Sequence, residues 1–176
     1  MIRRRNRIDG GKGMRRKKRQ VTDLATIKNL VEKSQVVRIA LNGEDYPYVV
    51  PVNFGYEWEE EKLTLFVHGA SEGKKVSMIK NDPKVAIEMD GNHKLVQGTL
   101  NASSYSYAYQ SLIGFGEAEI IEELEEKRRA LHILMDHAAK GAPFDEIPEG
   151  MLKRTGIIKI TLASYTMKEN VHPDDK

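Results

Sequence analysis

The segment that most constrains this chain runs from Pro47-Tyr48-Val49-Val50-Pro51-Val52-Asn53-Phe54-Gly55-Tyr56 to His68-Gly69-Ala70-Ser71-Glu72-Gly73-Lys74-Lys75. It reads as a strand, a turn, a second strand and then an anion-binding loop. β-Branched and aromatic residues crowd the first part, Glu57 to Glu61 form an acidic turn, and Leu63, Leu65, Phe66 and Val67 make a strand that ends on His68. Beyond His68 the chain turns small and cationic. Backbone N–H groups at Gly69, Ser71 and Gly73, with the ammonium groups of Lys74 and Lys75, can hold a phosphate there. Lysines at the start of a helix oppose its dipole, a misfit that a neighbouring anion removes. Ser71 serves either as a helix cap or as a hydroxyl donor to the phosphate.

The rest of the chain supplies mostly strands. Thr22 or Asp23 caps a helix from Leu24 to Lys33, with Leu24, Ile27, Leu30 and Val31 on its buried side. Val36 to Leu41 is a strand, Asn42-Gly43-Glu44-Asp45 its turn, and Tyr46 to Tyr56 the returning arm of a hairpin. Leu63 to His68 adds a third strand. Lys74 to Asn81 is a short helix closed by Asp82-Pro83, and Val85 to Met89 and about Tyr109 to Ile121 are further strands. Glu122 to Ala139 shows helical spacing at Leu124, Leu131, Leu134 and Met135, with opposite charges at Glu123 and Lys127 and at Glu125 and Arg129. The last strand covers Gly156 to Leu162, with an extension towards Met167. Gly141 to Gly150 is linker-like, and no repeats occur. With no βαβ alternation, these elements predict a mainly β fold, a closed antiparallel barrel with peripheral helices. Pro51 cannot donate to a ladder, so an edge, a bulge or a ligand-facing position is expected for it.

Composition narrows the function classes. The 176 residues, 40% hydrophobic and 31% charged, fit one ordinary domain, placed at residues 20–176. Zero cysteines exclude disulfides, cysteine-based zinc sites and a thiol nucleophile. No apolar run reaches membrane-spanning length and no signal-peptide pattern is present, so a cytoplasmic location is expected and no membrane partner. His68, His93, His132, His137 and His172 lack metal-ligand spacing, and no metal site is expected. Charge is uneven. In residues 1–19 ten cations face Asp9 alone, giving +9, while the other 18 basic and 25 acidic residues give −7. Such a leader can bind nucleic acid through phosphate neutralisation, but its charged, weakly hydrophobic composition reads as a solvated, disordered arm. Nucleic-acid binding is therefore not the expected function.

Three segments taken in order, PYVVPVNFGY (47–56), LFVHGASEGKK (65–75) and SLIGFGEAEI (111–120), resemble the nitroimidazole-resistance (Nim-type) branch of the pyridoxamine-phosphate-oxidase-like flavoproteins. The similarity runs from about Met14 to about Ile160; residues 1–13 precede it and read as an upstream extension. It implies an FMN-binding split barrel of antiparallel Greek-key type, a homodimer with the flavin at the subunit interface, and reduction of a small planar acceptor such as a 5-nitroimidazole. FAD is a possible replacement for FMN. Under that resemblance Val49, Val50, Pro51, Val52 and Asn53 line the isoalloxazine ring, and Gly69, Ala70, Ser71, Gly73, Lys74 and Lys75 surround the phosphate. His68 is the catalytic candidate and a flavin contact, and Ser111 a further one. Core packing is the competing role for Val50 and Val52. Tyr105, Tyr107 and Tyr109, at period two, either stack on a planar ligand or cover a barrel end. The resemblance is broken at Ser103 and Ser104, where relatives often carry cysteine or tryptophan. Gly114-Phe115-Gly116 lacks the third glycine of a dinucleotide fingerprint, so those glycines are expected to allow close backbone approach or a bend. A second reading is a non-catalytic protein that stores or senses flavin or haem, with His68 as an axial iron ligand.

Overall fold

A computed structural model describes residues 16–172. In chain order the elements are β1 (Gln20–Val21), α1 (Leu24–Lys33), β2 (Val37–Leu41), β3 (Tyr48–Val52), β4 (Gly55–Glu59) and β5 (Lys62–Ala70). Then follow α2 (Lys74–Asn81), β6 (Lys84–Val96), β7 (Ser106–Ile121), α3 (Leu124–Ala139), α4 (Glu149–Arg154) and β8 (Thr155–Asn170). Every ladder is antiparallel, and the strand order is β3-β2-β6-β7-β8-β5-β4, with β1 added beside β8. The two end strands, β3 and β4, are consecutive in sequence and joined only by Asn53 and Phe54. That short link curls the sheet into a barrel, while the strand order leaves it split where β3 and β4 come together. Antiparallel sheet with peripheral helices is the architecture the sequence predicts, and the split, where the strand pattern alone read as a closed barrel, is what the family resemblance implies.

Alternation sets what faces inward. Ile39, Leu41, Leu63, Leu65, Ile87, Met89, Leu112, Ile160 and Met167 are buried together inside the barrel, and Ile27, Leu30 and Val31 of α1 plug it. Phe66 points the other way, into a second cluster with Ile121, Ala130, Leu134 and Ile157 beneath α3. Covering on both faces explains the unbroken apolar run of β5. Asp23 starts α1 as expected, its carboxylate accepting from the Thr26 N–H at 2.9 Å.

The structure departs from the sequence reading where ladders change partners. The single arm read from Tyr46 to Tyr56 is two strands: β3 pairs with β2, whereas β4 pairs with β5. Glu57 and Glu59 belong to β4, so the acidic turn shrinks to Glu60, at φ 57°, and Glu61. β6 does not stop at Met89, where the sequence reading ends it, but continues to Val96 by a bulge, with Asn92 at φ 56°. β8 reaches Asn170, and α4 begins at Glu149, within the stretch read as linker. Gly116 sits at the bulge where β7 and β8 shift register, and a Cβ there would strike the Thr161 carbonyl, the close approach expected of it. Within the basic leader, Lys17–Arg19 form one turn of 3-10 helix; residues 1–15 lie outside the described residues. Among the described residues no helix is long and apolar enough to cross a membrane.

Candidate functional site

The split in the barrel is where the predicted site residues gather. β3 forms one side. Val50 and Val52 turn inward and pack on the core, the competing role foreseen for them, while Val49, 54% exposed, and Pro51 face outward. Pro51 lies on an edge strand, as its missing donor requires. At the end of β3 the Asn53 amide donates to the Gln35 carbonyl at 2.9 Å.

The end of β5 and the start of α2 form the other side. Val67 is buried, His68 and Ala70 are exposed, and Gly69 is half-buried, all paired in register with Gly156 and its neighbours on β8. Ser71 is exposed and does not cap α2. The N-cap is Gly73, whose φ of 122° and ψ of 178° suit glycine alone, and it supplies no side-chain acceptor. The first-turn N–H groups of α2 are therefore open to a ligand. Lys74 places its ammonium 4.6 Å from the Tyr48 ring centroid, which ties the start of α2 to β3. Lys75 extends over Gly69, its Nζ 3.6 Å from the point a Cβ on that glycine would occupy. Burial lowers the Lys75 pKa below the usual lysine value, the signature of a cation short of counter-charge.

At the opposite end of the cleft Asn53 and His68 line one cavity of about 230 Å³, closed by α3 and α4. His137 of α3 braces this end. Its Nδ1 lies 2.6 Å from the Phe54 carbonyl and its Nε2 3.1 Å from the Glu32 carbonyl, so one ring joins the β3–β4 link, α1 and α3. Its ring also packs against Phe54 and Tyr56.

The fold thus brings β3 towards residues 68–75, with Tyr48 against Lys74 and with Asn53 and His68 lining one cavity. It does not bring Ser111 to them. Ser111 sits on β7 opposite Asp90 and Lys168, three strands from β3, or about 14 Å along the sheet of the same chain. The tyrosines do not cap the barrel: Tyr107 is 61% exposed on the outward face of β7, and Tyr109 bonds through its hydroxyl to Arg19. Sequence reasoning missed the charged string in which Arg38 Nη1 donates to Glu88 at 2.9 Å and to Asp90 at 2.5 Å, with His93 Nε2 2.9 Å from Asp90. Residues so far apart in the chain carry no local signal. It also missed the α3–α4 wall of the cavity, although the spacing of Leu131, Leu134 and Met135 marked an apolar helix face.

Comparison with known proteins agrees with this architecture. A structure of a candidate 5-nitroimidazole antibiotic resistance protein from Bacteroides thetaiotaomicron is 30% identical with a TM-score of 0.73, covering 85% of this chain and 86% of that one. An FAD and haem binding protein from Mycobacterium smegmatis has a TM-score of 0.77 at 21% identity, covering 90% and 77% of the two chains. A flavocytochrome from Azotobacter vinelandii has a TM-score of 0.73 at 18% identity, covering 91% and 73%. The last two share the fold. No curated protein sequence matches the chain. The family model described as pyridoxamine 5'-phosphate oxidase matches residues 23–169, nearly the whole barrel, and the chain belongs to that family.

Proposed function

We propose that the protein is a flavin-nucleotide-binding oxidoreductase that reduces a small planar acceptor, such as a 5-nitroimidazole, through bound FMN. The observation that carries this reading is the uncapped start of α2, with Lys74 and Lys75, facing β3 across the split. The residues fit a flavin phosphate: Gly73 leaves the helix N–H groups uncovered, Gly69 leaves room beneath Lys75, and the half-buried ammonium gains the counter-charge it lacks. Val49 and Pro51 offer an apolar outward surface to the ring, with Asn53 and His68 at its far end. When bound, the flavin supplies the electron chemistry, taking electrons from a nicotinamide or another reductant. The chain's own task is to hold the phosphate, shield the ring and present His68. No hydrogen bond ties the His68 ring among the described residues, which leaves it open to a ligand.

A homodimer belongs to the same reading. Ser111, remote from the cleft of its own chain, lies on the outward face of β7 in line with Tyr107, Ile113 and Phe115, all exposed. A second copy docked on this face would cover them and present Ser111 to the neighbouring cleft. Haem is the second reading, favoured by the open His68 ring and by the named ligands of the Mycobacterium relative.

Absorption spectra of the purified protein, followed by release of the chromophore and chromatography against FMN, FAD and haem, test the proposal. A flavin spectrum, with His68→Ala retaining flavin but losing about 10²-fold or more in nitro-acceptor turnover, is the expected result. A Soret band moves the assignment to haem. A colourless protein that refuses added flavin overturns it.

A further inference from the structure

The cavity behind His68 has a chemistry distinct from that of the phosphate loop. Its wall is built from Phe54, Leu131, Leu134, Met135, Ile147 and Met151, and no Lys, Arg, Asp or Glu lines it. Its polar residues are Asn53, His68 and Thr155. The first donates to the Gln35 carbonyl, and the Thr155 hydroxyl donates to the Met151 carbonyl at 2.8 Å, leaving His68 as the polar group open to an occupant. A charged ligand would lose its hydration here without gaining a partner. Size is equally selective. A cavity of roughly 150 Å³ holds benzene, so about 230 Å³ accommodates one substituted ring and excludes a whole flavin or porphyrin. The two methionines add an adaptable, polarisable lining.

We propose that this cavity binds the apolar end of an uncharged, single-ring acceptor, with the polar substituent of that ring directed at His68. The inference deepens the flavoprotein reading and rests on it only for the ligand's role as acceptor. A phosphorylated pyridoxine-type substrate, of the kind pyridoxamine 5'-phosphate oxidases act on, has no cation to meet in this wall.

The test uses the full chain without flavin and p-cresol as the neutral probe. Titration is followed by methyl NMR of Leu131, Met135 and Met151. The expected result is that p-cresol shifts these methyl signals, that pyridoxal 5'-phosphate at the same concentration does not, and that the shifts persist when FMN is added to saturation. Ala138, on the exposed side of α3 at the cavity mouth, provides the plug. Ala138→Trp is expected to weaken p-cresol about tenfold or more while leaving FMN affinity within about twofold. Met151→Glu, at a second exposed position, is expected to weaken p-cresol similarly by placing a charge in the wall. Absence of methyl shifts in the wild type overturns the proposal. So does loss of the shifts on FMN loading, which would assign the cavity to the flavin ring, or unchanged binding in both variants. Cresol binding by a protein that refuses flavin would sink the flavoprotein reading alone, whereas flavin binding without cresol binding would sink the cavity alone.

Discussion

At the scale of single residues, Lys75 and Gly73 decide how an anion is held. Burial keeps the Lys75 ammonium below its usual pKa of 10.5. In the ligand-free fold this side chain therefore contributes stability above pH 10.5, and that contribution is lost as pH falls through the lowered value. A bound phosphate reverses the preference by favouring the charged form. FMN affinity is accordingly expected to fall with rising pH while still below 10.5, and Lys75→Arg, which keeps its charge, is expected to flatten that decline. Flavin fluorescence titrations at a series of pH values check both points. Gly73 acts through the backbone: nothing lies within 4 Å of a Cβ built there, yet its φ of 122° is strained for any L side chain. Gly73→Ala should cost about 1–3 kcal/mol in urea unfolding and weaken FMN binding in the same protein. The glycine-and-lysine composition of this loop was legible in the sequence. The burial of Lys75 was not, because it depends on chain that folds over Gly69.

Among elements, the contact between α3 and β4 controls the geometry of the cleft's far end. A Cβ on Gly55 would lie 2.7 Å from the backbone of Leu134, so α3 crosses β4 in direct backbone contact. Gly55→Ala must push the helix outward, with an expected loss of about 1–3 kcal/mol in thermal or urea unfolding. The same displacement would distort the cavity lined by Leu134 and His68, and p-cresol binding provides an independent readout. Helices α1 and α2 match their sequence boundaries because the Asp23 cap of α1, the apolar spacing of both and the Asp82-Pro83 stop of α2 are local signals. The division of β3 from β4 is not local. Tyr46 to Tyr56 is strand-like almost throughout, and only the exchange of partner from β2 to β5 marks the break at Asn53 and Phe54. The six-residue α4 has an equally weak signature, since a helix that short is stabilised by packing: Leu152 is fully buried.

For the whole molecule, the outward face of β7 carries the association hypothesis. Phe115 is 49% exposed, and Ile113 and Tyr107 stand in the same row. Phe115→Glu places a charge at one end of that row, beside Ile113. Light scattering after size exclusion is expected to show a dimer for the wild type and a monomer for the variant, together with loss of retained flavin if the partner's Ser111 side completes the cleft. A dimeric Phe115→Glu protein would send the interface elsewhere.

By itself the sequence determined the mainly antiparallel class, the position of its principal helices, and a glycine-rich cationic loop placed after a strand that ends in histidine. Periodicity, caps and turn chemistry act over a few residues, and the amino-acid order holds that information directly. Only the tertiary structure decided that Asn53 and His68 line one cavity, that Ser111 stands three strands from β3 and two from β5 in its own chain, and that α3 and α4 wall that apolar cavity. Those outcomes follow from ladder register and helix docking between segments as far apart as Asn53 and Thr155, a long-range choice that local periodicity does not encode.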